Sequence, residues 1–493
     1  MRLTLSLLPG LLMLGLVALG GGGPCRAADV PLTPYTIDSV FDGPGSVYAA
    51  DVDGDGSLDV LGAATQANEI AWWHNGGGSP IAWTKQSIAT SFGAAISVYA
   101  ADIDGDSHTD VVGAGWSRNQ IAWWRNEGGS PISWTKQVIA NGFTYAHEVY
   151  ACDLDRDDDV DVLGVGAGNN TLAWWRNDGG NPIVWTQQTL TTTFAGARSV
   201  RAADLDGDGD LDIVATALTA NELSWWRNDG GNPIVWTKFV ISNSFAGAHM
   251  VRPCDLDRDG DIDLAAAGYT ADEVAWWRND GGDPVVWTKF TIATGFDGAV
   301  TVCPADIDKD GDLDILGAAQ DGSEIAWWSN EGGSPIVWNK HMIDPGFGGV
   351  WPAYAADLDG DTFIDIVAGG NSADEIRWWR NGLGLAGIGQ SDGGNPAATP
   401  GGPVRLYQNS PNPFSPVTAI RFELARPDYV QLTIYDVAGR LVRSLVDGTS
   451  EAGSHSVAWD GSDDQGRQLP SGLYFYRMAT REAVQTKPMA LVR

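Results

Sequence analysis

The chain has 493 residues, 63 acidic against 30 basic side chains, and a formal net charge of −33. That balance excludes a nucleic-acid partner, which needs clustered lysine and arginine to neutralise phosphates. The chain also holds 23 tryptophans and 63 glycines and shows no helical periodicity, so an all-β class is expected.

In chain order, the first segment reads as an export signal. Arg2 precedes an apolar run over residues 3–19, and small residues end at Cys25, Arg26 and Ala27, with cleavage expected after Ala27. Removal of residues 1–27 predicts a secreted or cell-surface protein. Beyond them no run reaches the ~20 apolar residues of a membrane-spanning helix.

Residues 32–381 repeat with a period of 51. A unit of this length that recurs in register marks a propeller or array, because one unit cannot bury its apolar face alone. In the second copy the strand signals fall at 98–101, 111–114, 121–125 and 132–139, with a Gly-Gly hairpin before the last. Pro131 at the start of that strand predicts an outer position, where a missing N–H costs nothing. Tryptophan pairs mark each third strand, from Trp72 and Trp73 to Trp378 and Trp379. Neighbouring strand residues point to opposite faces, so each pair is expected to send one indole into each adjacent blade. Phe41, Phe92, Phe143, Phe194, Phe245, Phe296 and Phe347 keep the same period. The seventh copy lacks its last strand, and residues 33–40 carry the equivalent pattern, so the N-terminal strand is expected to complete the seventh blade. Cys152, Cys254 and Cys303 are an odd number and give no disulfide framework; the first two stand where other copies carry alanine.

Each copy carries D-[VIL]-D-x-D-x-x-x-D. The candidate metal ligands are Asp51, Asp53, Asp55 and Asp59; Asp102, Asp104, Asp106 and Asp110; Asp153, Asp155, Asp157 and Asp161; Asp204, Asp206, Asp208 and Asp212; Asp255, Asp257, Asp259 and Asp263; Asp306, Asp308, Asp310 and Asp314; and Asp357, Asp359, Asp361 and Asp365. Carboxylates at positions 1, 3, 5 and 9 of a tight loop converge on one centre and suit the oxygen-rich shell of Ca2+. Position 7 is expected to offer its backbone carbonyl, since its side chain ranges from Ser57 to Phe363. The loop is not an EF-hand, having no glutamate at position 12 and strands on both sides. Asx-turns without metal are the alternative, opposed by the mutual repulsion of four carboxylates. Position 6 is Gly56, Gly209, Gly260 or Gly311 in four copies but Ser107, Asp158 and Thr362 in copies two, three and seven. A left-handed turn there predicts weaker metal binding in those three of up to seven sites.

Three residues before the motifs stand Tyr48, Tyr99, Tyr150, Arg201, Arg252, Cys303 and Tyr354; six before them stand Gly45, Ile96, His147, Arg198, His249, Val300 and Trp351. From these, Tyr99, Tyr150, His147, Arg201, Arg252, His249 and Trp351 are the candidate ligand contacts, suited to sugar stacking or a carboxylated partner. The competing reading is that they only line a central channel.

These repeats, with D-x-D-G-D-G-x-x-D at fixed period, resemble the FG-GAP/VCBS repeats of integrin α-subunit propellers and of some fungal lectins. The resemblance covers residues 32–381. It implies a seven-bladed β-propeller with Ca2+ between first and second strands and partners bound on the opposite face. A Gly/Ser/Pro-rich linker, 382–404, then leads to residues 405–493, where N-S-P-N-P-F, V-Q-L-T-I-Y-D-V-A-G-R and S-G-L-Y-F-Y-R alternate as in a small antiparallel sandwich. That segment resembles the Ig-like C-terminal sorting domain of the bacterial type IX secretion system, which implies a partner in the secretion machinery. An uncleaved Ig-like accessory domain is the alternative.

The expected function is a secreted or cell-surface, calcium-binding, non-catalytic module that adheres to an extracellular glycan or protein. H-E-x-x-H does not occur, and G-x-S-x-G falls only at residues 389–393, inside the expected linker and away from any strand-to-helix turn. The alternatives are a secreted enzyme acting on polysaccharide through loops of the channel face, and a passive surface or matrix component.

Overall fold

The structure is a computed structural model that describes residues 30–383 and, with short gaps, 405–491. The expected signal segment and nearly all of the linker lie outside the described residues. Every regular element described is a strand.

Seven four-stranded antiparallel sheets form the blades, numbered here by the aspartate loop each carries. Blade 1 consists of Pro44–Ala50, Asp59–Ala64, Glu69–Asn75 and Trp83–Ala89, in that spatial order. Blade 2 consists of Ala95–Ala101, Asp110–Gly115, Gln120–Asn126 and Trp134–Asn141. Its fourth strand is outermost, as its proline suggested, but begins at Trp134 rather than Ile132. The hairpin consumes the intervening residues: Glu127 N–H donates to Ser133 O at 3.0 Å, and Gly128 and Gly129 take positive φ.

Blade 7 is closed by the other end of the propeller. Val350–Ala356, Asp365–Gly370 and Glu375–Asn381 are joined by Leu32–Asp38, which pairs antiparallel to Glu375–Asn381 from Leu32↔Asn381 to Asp38↔Ile376. The first strands of blades 7 and 1 are neighbours, and Tyr354 meets Tyr48 with ring centroids 4.9 Å apart. The sheet edge that an incomplete seventh blade would expose is thus covered from within the chain.

Between blades the packing follows the tryptophan pairs. The core between blades 1 and 2 holds Trp72 and Trp124, the next Trp123 and Trp175, then Trp174 and Trp226, and so round to Trp73 and Trp378. Each pair therefore gives one indole to each side, as strand alternation demands. The second indole of each pair receives a phenylalanine edge-on, as in Phe41–Trp73 at 4.9 Å and Phe347–Trp379 at 5.4 Å, both at 89°. Burying one such ring is worth about 4–6 kcal/mol before the entropy of ordering is subtracted.

A bulge sets what faces the central channel. In every blade the pairing of first and second strands shifts near the start of the first strand, for example between Ala146 and Glu148 and between Ala197 and Ser199. The extra residue re-aims its side chain. Residues six before each aspartate motif therefore join those three and five before it around the channel.

The C-terminal unit, residues 390–493, is separate from the propeller unit. It has a three-stranded sheet (Arg405–Leu406, Thr418–Leu424, Gly453–Trp459) and a four-stranded sheet ordered Leu441–Ser450, Asp428–Asp436, Gly472–Ala479, Val484–Leu491. Its core contains Ile420, Phe422, Leu432, Trp459, Tyr476 and Met489. The buried Tyr476 hydroxyl donates to Tyr407 O at 2.8 Å and accepts from Asn409 N–H at 2.9 Å.

Deleting residues 30–40 removes a whole strand and uncovers the edge at Glu375–Asn381. A melting temperature lowered by about 10 °C or more, with broadened unfolding, is expected by circular dichroism. An unchanged, equally sharp transition would disprove the closure.

Candidate functional site

The aspartate loops sit between first and second strands of each blade. The first aspartate organises the turn: Asp51 Oδ1 accepts from Gly54 N–H at 2.8 Å and Oδ2 from Gly56 N–H at 2.9 Å. The fifth-position carboxylate accepts from the position-7 amide in every copy, at 2.7 Å for Asp55 and 3.0 Å for Asp361. Position 6 has positive φ throughout, including Ser107, Asp158 and Thr362, and position 4 does as well, including Arg156, Arg258 and Lys309. Phe363, at position 7 of the last loop, lies under the Lys309 ammonium, 4.1 Å from its ring centroid.

The ninth aspartate has a different place from the other three. Asp59, Asp110, Asp161, Asp212, Asp263, Asp314 and Asp365 are fully buried at the start of their second strands. Asp59 Oδ2 accepts from Val52 N–H at 3.0 Å and Oδ1 from Asn75 N–H at 2.8 Å, and the pattern repeats to Asp365 with Leu358 and Asn381. The asparagine amide then reaches the preceding blade: Asn126 Nδ2 donates to Val52 O at 3.0 Å, and Asn75 Nδ2 to Leu358 O at 2.8 Å across the ring closure. Six of the seven loops are thereby tied to the preceding blade, whereas Asn228 Nδ2 in blade 4 donates to Leu211 O of its own loop at 3.3 Å.

The donor set fits a divalent calcium-sized ion. One carboxylate oxygen from each of Asp102, Asp104 and Asp110 lies within 4.8 Å of the others, as for Asp153, Asp155 and Asp161, and Asp204, Asp206 and Asp212. Two oxygens sharing one Ca2+ at 2.3–2.6 Å stand at most about 5 Å apart. Moreover, one oxygen of each of Asp104, Asp155, Asp257, Asp255, Asp306 and Asp357 is buried without a hydrogen-bond partner. A cation held among these loops would satisfy such orphaned anionic oxygens.

The loops differ in what else approaches them. In blade 2, Arg125 Nε lies 2.7 Å from Asp104 and Nη2 3.0 Å from Asp106; in blade 7, Arg380 sits likewise on Asp359 and Asp361; in blade 1, His74 Nδ1 is 3.0 Å from Asp53. In blades 3, 4 and 5 the equivalent Arg176, Arg227 and Arg278 turn instead to Asp178, Asp229 and Asp280 at 2.6–2.7 Å. Blade 6 has Ser329 there, and burial, followed by Asp310, raises the Asp308 carboxyl to about 6.

The second region is the channel, a cavity of about 450 Å³ bounded by the first strands. Midway, Tyr48, Tyr99, Tyr150 and Tyr354 contact one another in sequence at 4.8–5.0 Å between centroids. Arg201 and Arg252, expected as ligand contacts, are instead turned to Glu148, at 2.8 and 3.6 Å. Against the effect of burial, these two arginines hold the Glu148 carboxyl below its usual range. Their charge is matched inside the wall.

Nearer the mouth, His147, His249 and Trp351 converge, with centroids 6.0–6.1 Å apart. His147 Nδ1 lies 2.9 Å from Arg198 O and His249 Nδ1 2.9 Å from Val300 O. A carbonyl only accepts, so both Nδ1 atoms carry the proton. Burial, followed by the charge of Arg198, holds His147 well below the usual imidazole range and His249 at about 3.

Sequence reasoning left Arg198 out of the candidate contacts and missed Trp116, Tyr145 and Tyr269. The signal was available: Trp116 and Tyr269 stand where other copies have Thr65, Ala167, Leu218, Gln320 and Asn371, and Tyr145 where they have glycine or Ala94. Tyr145 holds φ +53°, a conformation that costs a bulky residue roughly 1–2 kcal/mol. It is 45% exposed and stacks on Trp116 at 4.8 Å and 9°.

Residues 51–113, 102–164, 153–215, 255–317 and 306–368 match the FG-GAP-like repeat family. These matches together cover more than half of the chain, which belongs to that family. Residues 414–483 match the FlgD Ig-like domain. The basal-body rod modification protein FlgD of Salmonella typhimurium is 43% identical over 58 residues, 12% of this chain and 25% of that protein, as is FlgD of Salmonella typhi. The chain thus spans about a quarter of the length of the curated relatives it matches. Among solved structures, BBS1N in complex with ARL6DN aligns with TM-score 0.48 and 11% identity over 72% of this chain and 97% of that one. PorZ, a surface component of the type-IX secretion system of Porphyromonas gingivalis, aligns with TM-score 0.42 and 14% identity over 92% and 60%.

Burial, more than any charge, raises the ninth-position carboxyls above their ordinary 3.8: Asp59 to about 6, Asp110, Asp212 and Asp263 to about 7, and Asp161, Asp314 and Asp365 to about 8. Folding of the metal-free ring therefore takes up protons above the unfolded value. That stabilisation is complete below it and is lost as pH climbs through 6 to 8. The melting temperature of metal-stripped protein should fall between about pH 5 and about pH 8, and saturating Ca2+ should abolish the slope, because the ion replaces the protons.

Proposed function

We propose that this protein is an exported, calcium-stabilised propeller that serves as a non-catalytic binding module, engaging its ligand at the channel mouth opposite the aspartate loops. The observation that carries the calcium assignment is the set of buried carboxylate oxygens without partners, such as Asp155 Oδ1 and Asp257 Oδ1. A divalent ion in these loops supplies the countercharge that lets the ninth aspartates stay ionised and tied to the third strands. Export rests on the signal-like residues 1–27 and on the Ig-like C-terminal unit, whose partner on this reading is a secretion machine or a surface anchor. The ligand is an extracellular glycan or protein. Binding is favoured over catalysis by the two channel histidines, whose Nδ1 protons are committed to backbone carbonyls and which make no ion pair with a carboxylate among the described residues.

The loops are unequal on this reading. Position 6 alone ranks copies two, three and seven as weak. The third-strand cation adds a second determinant: His74, Arg125 and Arg380 compete with the ion in blades 1, 2 and 7. Asp178, Asp229 and Asp280 draw the arginine away in blades 3 to 5, and Ser329 removes the competitor in blade 6. Loops 4 to 6, which both determinants favour, are the tight sites.

Calorimetric titration of stripped protein should resolve tight and weak classes, with Arg125→Gln and Arg380→Gln each tightening one of the weak sites. Seven equal sites, unmoved by either substitution, would refute the competition. At 100-fold excess over the dissociation constant each tight site contributes about 2.7 kcal/mol, so chelation should lower the melting temperature by on the order of 10 °C or more. A transition untouched by chelation would overturn the calcium reading itself.

A further inference from the structure

We propose that the channel mouth binds a carboxylated sugar of the hexuronate type, Arg198 taking the carboxylate and His147 a neighbouring hydroxyl. The proposal rests on the binding-module reading above and names the class of ligand.

Arg198 is the first pointer. Its guanidinium is largely buried at the bulge of blade 4, its Nε finds no hydrogen-bond partner, and no carboxylate lies within ion-pair distance among the described residues. One layer deeper, Arg201 and Arg252 share Glu148, so the channel does match arginines with acid where the charge is only structural. A positive charge withdrawn from water and left without a counter-ion calls for an anion from outside.

His147 is the second. It is only 7% exposed, and its Nδ1–H is committed to Arg198 O. Its neutral ring therefore presents Nε2 as a bare acceptor, and that atom has no partner. Both groups border one face of the cavity: the Arg198 guanidinium carbon is 5.5 Å from the Trp116 ring centroid, and the His147 ring is 5.6 Å from it. A cationic donor beside a neutral acceptor matches a ligand with an anionic group next to a hydroxyl. A free phosphate or sulfate ion supplies the charge without a sugar ring and its hydroxyls, and a neutral hexose leaves Arg198 unmatched.

Aromatic faces supply the rest. Trp116 stacks with the outward Tyr145, and Trp351 lies 6.0–6.1 Å from both channel histidines. Trp351, which lines the cavity, suits the C–H side of a pyranose ring better than an acidic peptide, whose charges have one arginine to meet, while the Trp116–Tyr145 stack backs Arg198. The cavity of about 450 Å³ falls in the range of small-ligand sites. Tyr145 strengthens the case, because it keeps a left-handed backbone where Gly43, Gly196, Gly247, Gly298 and Gly349 stand in other blades.

The test is calorimetric titration of the calcium-loaded full chain with galacturonate, glucuronate and trigalacturonate, against galactose, glucose and a hexaglutamate peptide. Saturable binding of an acidic sugar, at least tenfold tighter than its neutral counterpart and weakened at least tenfold in Arg198→Gln, is the expected result. Should Arg198→Gln fail to fold, Tyr145→Gly serves, since glycine relieves the backbone there: it should raise the melting temperature while weakening uronate binding. Equal affinity for neutral and acidic sugars, or uronate binding indifferent to these substitutions, would overturn the uronate assignment and leave the binding module standing. Binding of hexaglutamate without uronate would do the same. Failure of every probe, with release of reducing ends from polygalacturonate, would overturn both, because the propeller would then be an enzyme.

Discussion

Seven carboxylates that never touch water hold this ring together. Each ninth-position aspartate is wholly buried, and its two oxygens are committed to backbone amides from the loop before it and the third strand beside it. In six of the seven blades the asparagine whose amide it accepts sends its own side chain to the loop of the preceding blade. A buried anion in this position is costly unless the charge is matched, and its chemistry therefore passes directly into inter-blade cohesion. The first- and third-position aspartates of the same loop complete the arrangement in blades 2 to 4, each bringing one oxygen within 4.8 Å of the buried carboxylate. On the proposed calcium reading, metal occupancy, loop shape and ring closure would be one linked equilibrium.

The tryptophan pairs supply the bulk of the cohesion, but they are indifferent to position in the ring. Every inter-blade core is built to the same plan, one indole from each neighbour with a phenylalanine edge against the second. Uniform packing of this kind leaves the ends of the strands free to vary. The molecule uses that freedom at the channel mouth, where His147, Arg198, His249 and Trp351 replace the small or aliphatic Gly45, Ile96 and Val300. The bulge at this point makes the variation matter, because it turns the residue from the strand face toward the channel. Repetition builds the scaffold and departures from repetition build the site.

Much of this was legible in the residues. The 51-residue period, the aspartate spacing and the missing last strand of the seventh copy led to blades closed by the N-terminal strand, which is how Leu32–Asp38 pairs. Strand limits were less so: the fourth strand starts at Trp134 because hairpin hydrogen bonds, invisible to a propensity reading, occupy Glu127 to Ser133. Among the ring residues, His147, His249 and Trp351 come together as candidates, whereas Arg201 and Arg252 turn to Glu148, the one acid at a register position held elsewhere by Ser46, Ser97, Ser199, Met250, Thr301 and Pro352. Arg198 was visible only as one arginine among three. At the C-terminus the alternating pattern led to an Ig-like sandwich, and the packing around Trp459 and Tyr476 follows it.

By itself, then, the sequence determined the local chemistry: alternation makes strands, glycine and aspartate make the turns, and carboxylates at alternate positions converge because the chain between them is too short to do otherwise. Tertiary structure alone decided which charges are matched. Whether Arg176 faces Asp178 or Arg125 faces Asp104 depends on side chains reaching across a sheet, and whether Arg201 or Arg198 is left without an acid depends on seven strands from distant parts of the chain meeting round one axis. Charge pairing is a matter of a few ångströms in space, and a one-dimensional period does not encode those distances.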